Sequence, residues 1–322
     1  MQTLPGKRTA LLTVSLVLSA CGGGGGGGGG GGTVPTATPI TPFTTWGDVK
    51  ADVPVQLDGL GQEVSGTWAT NRFIDVQRAS AASEGYSAIL TFDQALELTQ
   101  LALKSSSTLV SFAGATFPDL TLAPGLIPQF IGAGSLASGN AAILANPINL
   151  KWDYQTFGIW ETASTTDGSS RTFGAMSVGN DAGTAIPGSG TATFTGYATG
   201  SYVNAAGTGT TAFADLTVGV NFGTRILDFS TTNTQTSSNW DTSAPTFTPN
   251  GGLDLTGKLT YAAGTNSFTG SVSSVGGLTG DSTGQFYGPK AEELGGVFFL
   301  KNPAAPLSPE TYAGAYGAAQ TP

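Results

Sequence analysis

Apolar residues recur at every second position in short runs along the second half of this chain. That alternation restricts it to strands with one buried face. Residues 215–222 read Asp-Leu-Thr-Val-Gly-Val-Asn-Phe, and residues 191–196 read Thr-Ala-Thr-Phe-Thr-Gly before the chain continues to Tyr202. Similar runs fall at 152–160, 171–178, 225–229, 253–261, 267–272 and 297–300, with Gly, Ser and Asn between them. Short strands at this spacing predict an antiparallel meander of about eight strands closed into a barrel. Gly158, Gly196, Gly219 and Gly257 sit at strand positions, where tight curvature or close packing in a small barrel is expected.

Ahead of this region, residues 46–150 are apolar-rich and broken by Gly, Ser and Pro. Strands are predicted at 64–69, 87–92, 96–103 and 108–112. The stretch from Asp93 to Lys104 also admits a helix with Asp93 as its N-cap, although the Leu96/Leu98 and Leu101/Leu103 alternation favours strand. Residues 117–149 carry Pro124, Pro128 and Pro147 and read as an irregular connection wrapped over a core. The longer Ser/Thr/Gly stretches, such as 231–239 and 250–252, read as loops.

The first 45 residues have a different character. Lys7 and Arg8 precede an apolar run from Ala10 to Leu18, too short to span a bilayer, which is the anatomy of a secretory leader. It ends Leu18-Ser19-Ala20-Cys21, and eleven glycines follow, Gly22 to Gly32. Cys21 is the only cysteine, so it has no disulfide partner within the chain. A small residue directly before that cysteine resembles a bacterial lipoprotein signal, which implies acylation of Cys21 after cleavage. The alternative is a free thiol beyond an ordinary cleavage site. Glycine carries a large backbone entropy cost and no packing surface. Residues 21–45, continued by Thr33, Pro35, Thr36, Thr38, Pro39, Thr41 and Pro42, therefore form a tether whose ends lie on the order of 25–30 Å apart.

Composition excludes several functions. The formal charge is −9, and losing Lys7 and Arg8 with the leader makes the remainder two units more negative. That sign opposes nucleic acid and anionic lipid surfaces, so the N-terminal lipid must carry membrane attachment. The chain has no histidine, which removes imidazole ligands for zinc, copper and haem, and removes Ser-His-Asp and Cys-His nucleophiles. No Asp-x-Asp-x-Asp-Gly calcium loop is present. The Glu292-Glu293 pair beside Gly295-Gly296 reads as a solvated face in an amphipathic turn rather than as a general acid and base. The chain is read as a non-enzyme without a cofactor or metal.

The stretch 284–298, Gly-Gln-Phe-Tyr-Gly-Pro-Lys-Ala-Glu-Glu-Leu-Gly-Gly-Val-Phe, resembles the closing motif of the barrel domains in transferrin-binding protein B and related surface lipoproteins. Phe286 and Tyr287 would end the penultimate strand, Gly288-Pro289 would turn the chain, and Ala291 to Leu294 would form one helical turn before the last strand. Residues 154–160, 186–196 and 220–223 resemble the opening strand, a turn–strand element and a mid-barrel strand of that family. A poly-Gly run after the lipid cysteine also recurs in such lipoproteins. The resemblance covers about residues 151–301 and implies an eight-stranded barrel with a smaller, strand-rich handle domain before it.

The organisation expected is a leader at 1–20, a tether at 21–45, a handle-like domain at 46–150, the barrel at 151–302 and a C-terminal tail at 303–322. Transferrin-binding protein B has two lobes and captures iron-loaded transferrin; this chain has room for one lobe. The resemblance implies a lipid-anchored bacterial outer-membrane surface protein that binds a protein or metal-carrier ligand, with no ligand-contacting residue transferable. The alternative is a structural or adhesion lipoprotein. An integral outer-membrane barrel fits less well, because the strands are mostly shorter than a membrane crossing requires. Trp160, Phe194 and Phe222 lie in alternating strands and are expected in the core. Trp46, Trp68 and Trp240 lie near loops and are the candidates for a contact surface.

Overall fold

A computed structural model describes residues 39–105, 108–113, 119–120, 130–135, 140–163, 169–240 and 245–321. The leader, Cys21 and the poly-Gly run lie outside the described residues. Within them the chain is all-β apart from short turns of helix, and it builds two sheets.

The first sheet comprises β1 (Thr41–Pro42), β2 (Val55–Ala69), β3 (Arg72–Arg78), β4 (Ser83–Phe92), β5 (Leu98–Lys104) and β6 (Leu109–Ala113). It continues with β7 (Asp119–Leu120), β8 (Phe130–Ser135), β9 (Asn140–Ala145), β10 (Gln155–Ala163) and β11 (Ser170–Gly179). Its order is β6-β5-β4-β2-β11-β10-β9-β8-β7, with β1 and β3 also paired to β2. The sheet curls around Leu57, Tyr86, Leu90, Phe92, Leu101, Trp160 and Met176, all buried.

The second sheet comprises β12 (Thr191–Val203), β13 (Gly209–Asn221), β14 (Ile226–Ser237), β15 (Thr248–Pro249), β16 (Leu255–Tyr261), β17 (Ser267–Ser274), β18 (Thr279–Tyr287), β19 (Glu293–Lys301) and β20 (Thr311–Gln320). Every pairing is antiparallel. Pairing of β13 with β14 closes β12, β13, β14, β16, β17, β18, β19 and β20 into an eight-stranded barrel. Inward side chains fill it: Phe194, Leu216, Val218, Phe229, Leu259, Phe268, Phe286, Phe298, Tyr312 and Tyr316 form one buried cluster. A barrel of this size is a packed core rather than a channel.

Three expectations are corrected. Residues 155–163 and 170–179, assigned by the sequence to the barrel, pair with β2 and β9 of the first sheet, so pairing changes sheet after Gly179 rather than at Lys151. Residues 311–320, expected in a tail, form β20, which pairs with β12 on one side and β19 on the other and supplies the closing strand assigned to residues 297–300. Within 117–149, β8 and β9 form a regular hairpin, and α1 (Pro147–Leu150) follows, its N-terminus capped by the Asn146 side chain accepting from Ile148 N and Asn149 N. Smaller differences agree with local chemistry. Asp93 caps a turn, its Oδ1 accepting from Ala95 N and Glu97 N, and β5 is a strand. The body starts before residue 46, since β1 pairs with β2 and Phe43 is buried. Residues 231–237 belong to β14, and no helical turn forms over 291–294.

The sheets share a wall. Between the ends of β19 and β20 the outward residues Gly295, Val297, Phe299, Ala313, Ala315 and Gly317 are small or apolar, and Val297 and Ala315 join Leu60, Phe157, Ile159 and Ala175 of the first sheet in one core cluster. Gln155 Nε2 donates to Leu294 O at 2.6 Å and Ala318 O at 3.1 Å, and Gln62 Nε2 donates to Phe298 O at 2.5 Å. Arg78 forms a two-pronged ion pair with Asp281, at 2.8 and 3.0 Å, while its guanidinium lies 4.4 Å from the centre of the Phe299 ring.

The close-packed glycines divide into two kinds. A Cβ on Gly196 would lie 2.1 Å from Gly317 O and 2.6 Å from Ala318 Cα, both backbone atoms of β20. Gly158 and Gly257 are similarly close to neighbouring backbone, but a Cβ on Gly219 meets nothing within 4 Å, contrary to the sequence expectation. Gly196→Ala is therefore expected to cost about 1–3 kcal/mol, as overpacking does, while Gly219→Ala stays within about 0.5 kcal/mol of the parent. Urea unfolding of the two variants checks the contrast; equal losses would refute it.

Candidate functional site

The ends of both sheets converge on a cleft of about 200 Å³. From the first sheet come Trp68 and Phe73, which flank the β2–β3 turn, and Glu161, Arg171 and Phe173 near the ends of β10 and β11. The barrel contributes Ser201 to Val203, Gly209 to Thr211, and Ser237, Ser238 and Trp240. Hairpin register explains the gathering. Ser201 pairs with Thr211, and Thr211 with Ser237, so one row across β12, β13 and β14 lines one wall. Glu161 pairs with Phe173 and Ala163 with Arg171, which makes Glu161 and Arg171 diagonal neighbours on one face.

The aromatic floor is continuous. Trp68 and Phe73 meet edge to face at 4.8 Å, and Phe73 and Phe173 lie 5.1 Å apart. The Arg171 guanidinium lies 4.7 Å from the centre of the Trp68 ring, and its Nη1 donates to Glu161 Oε1 at 2.5 Å. The lining therefore carries one cation and one anion that neutralise each other. Tyr202 donates to Glu310 Oε1 at 3.2 Å, and burial together with that carboxylate pushes its hydroxyl up to about 12. It is a neutral hydroxyl at physiological pH. Two buried polar atoms of the lining, Arg171 Nε and Thr210 Oγ1, have no hydrogen-bond partner. A separate small cavity of about 20 Å³ shares Glu161, Ser201, Thr211 and Trp240 with this lining.

The sequence candidates separate cleanly. Trp160, Phe194 and Phe222 are in the core, 2%, 0% and 5% exposed. Trp46 is not a surface residue. It packs against Phe43 and Phe92, and its indole N–H donates to Gln155 O at 2.9 Å. Trp68 and Trp240, far apart in sequence, meet at the cleft and remain partly exposed. Arg171, Glu161, Tyr202 and Thr210 were not singled out, because their convergence depends on which hairpins lie side by side.

Glu292 and Glu293 do not form a solvated face. Glu292 Oε2 accepts from Lys290 N at 2.8 Å, whereas Glu293 is only 3% exposed. The Glu293 carboxyl accepts from Asp153 N at 2.5 Å and Tyr154 N at 3.2 Å, joining the barrel to the segment entering β10. Burial pushes it up to about 8, against the lowering effect of those backbone bonds. Among the described residues, no three acidic or sulfur side chains cluster as metal ligands.

The described residues thus build a filled eight-stranded antiparallel barrel fused to a curled side sheet. Residues 186–320 match the family described as the C-lobe and N-lobe beta barrels of Tf-binding protein B, so the chain carries a transferrin-binding-protein-B-like barrel. Among solved structures, a protein described as a surface lipoprotein aligns with a TM-score of 0.41 and 13% identity, over 82% of this chain and 98% of its own. A transferrin-binding protein B mutant from Haemophilus parasuis aligns at 0.38 and 13%, over 83% and 77%. The isotype 1 protein from Neisseria meningitidis aligns at 0.39 and 15%, over 80% and 58%. No curated protein sequence matches the chain.

Proposed function

We propose that this chain is a lipid-anchored bacterial outer-membrane surface protein that acts as a binding module, not an enzyme, for a macromolecular or metal-bearing ligand. The observation that carries the reading is the match of residues 186–320 to a barrel family named for a transferrin binder. The filled interior of the barrel supports it as well, because a ligand must then be taken on an outer surface such as the cleft of Trp68 and Trp240. In this reading Cys21 is the acylated residue, and two or more acyl chains give stable attachment.

Cys21→Ser is expected to abolish incorporation of labelled palmitate and to move the protein from the membrane to the soluble fraction. Retained label would refute acylation at Cys21. The binding reading is tested by capture on cells displaying the intact chain. A saturable partner competed by excess soluble protein supports it, whereas weak, unsaturable adherence to many surfaces supports the structural or adhesion alternative.

A further inference from the structure

We infer that the cleft between the first sheet and the barrel is a saccharide site that takes one pyranose ring of a neutral glycan. This deepens the binding-module reading and rests on it only for access to extracellular glycans. Three features of the cleft select that ligand class.

The first is size. About 200 Å³ lies below the range of drug-sized pockets and suits a single ring. The second is charge. Arg171 and Glu161 neutralise each other and Tyr202 keeps its proton, so the site offers no net charge to an ionic ligand. The third is the mixture of surfaces. Trp68 and Trp240 line it with indole rings, while Ser201, Thr211 and Ser238 add hydroxyls.

A pyranose has the matching character: one face of C–H groups that packs on an aromatic ring, and a rim of hydroxyls that both donate and accept. Such a rim can bond the hydroxyls of Ser201, Thr211 and Ser238 and the exposed edge of the Arg171–Glu161 pair, whose side chains are 28% and 31% accessible. A purely apolar ligand would cover these groups without bonding them, which is costly in a desolvated site. The fork of Arg171 with Glu161 then acts as a rigid pair, with donor and acceptor side by side for vicinal hydroxyls.

The test uses the full chain in lauryldimethylamine oxide, a detergent without a sugar headgroup. Methyl glycosides of glucose, galactose, mannose and N-acetylglucosamine are titrated by tryptophan fluorescence and by saturation-transfer NMR. At least one glycoside is expected to saturate. Trp240→Ala is expected to weaken that binding about tenfold, and Thr211→Val, which keeps the shape and removes only the hydroxyl, about threefold, with unfolding temperatures unchanged. No saturable response to any glycoside would overturn the inference, as would undiminished binding in both variants. Loss of macromolecular capture in Trp240→Ala with no glycoside response would overturn the saccharide assignment while leaving the binding module standing.

Discussion

Deleting residues 311–322 is expected to abolish cooperative folding of the barrel, although the sequence reads like a dispensable tail. The strand β20 pairs with β12 from Phe194 to Val203 and with β19 from Glu293 to Lys301, so its loss opens the barrel and exposes two edges. It also removes Tyr312 and Tyr316, both essentially inaccessible to solvent, from the barrel interior. Total stability of such a domain is only about 5–15 kcal/mol, less than this loss. The single change Tyr316→Ala is a milder version. It empties the space beside Phe229, whose ring centre lies 5.0 Å away, and strips Ser282 of a 2.8 Å hydrogen bond. A cost of about 3–5 kcal/mol follows from comparable aromatic truncations. Urea denaturation followed by circular dichroism reads both outcomes; a cooperative transition surviving the deletion would show that the barrel closes without β20.

Glu293→Gln is expected to remove a pH dependence of stability between about 4.5 and 8. In the unfolded chain this carboxyl titrates near 4.5, and in the folded protein near 8. Within that window the folded state holds a proton that the unfolded state has released, so stability falls as pH rises. Below the window both states are protonated, and above it both are ionised with the full penalty in force. The shift corresponds to on the order of 5 kcal/mol across the window. Glutamine cannot ionise, and its side-chain oxygen still accepts from Asp153 N or Tyr154 N. The variant should therefore be slightly less stable than the parent near pH 5 and more stable near pH 9. Urea midpoints at pH 5, 7 and 9 check the crossing; parallel profiles for the two proteins would refute it.

Much of the barrel is legible from alternation, because β12, β13, β14, β16 and β17 place one face in the core and the other in water. The pattern fails where both faces are covered. In β20, Thr-Tyr-Ala-Gly-Ala-Tyr-Gly-Ala-Ala-Gln, the tyrosines fill the barrel while Ala313, Ala315 and Gly317 lie under the first sheet. With water on neither side there is no polar register to read, and small residues look like a linker. The same cause hid the affiliation of β10 and β11, whose two faces serve the curled core and the shared wall. For β8 and β9, the prolines lay outside the strands, at 124, 128 and 147, and suggested irregularity that the hairpin between them does not have. At the cleft, Trp68 and Trp240 could be picked out as aromatic residues near loops. Arg171 and Thr210 could not, since nothing local marks a polar atom that will later lack a partner.

The shared wall also imposes unequal freedom on sequence drift. A replacement at Ala315 or Gly317 must satisfy two interiors at once, and nearly every larger side chain fails one of them. On the far side of the barrel, Thr256, Lys258, Thr260, Thr269 and Ser271 are exposed to solvent. Divergent descendants of this protein should therefore vary freely along β16 and β17 while hardly changing at β19 and β20.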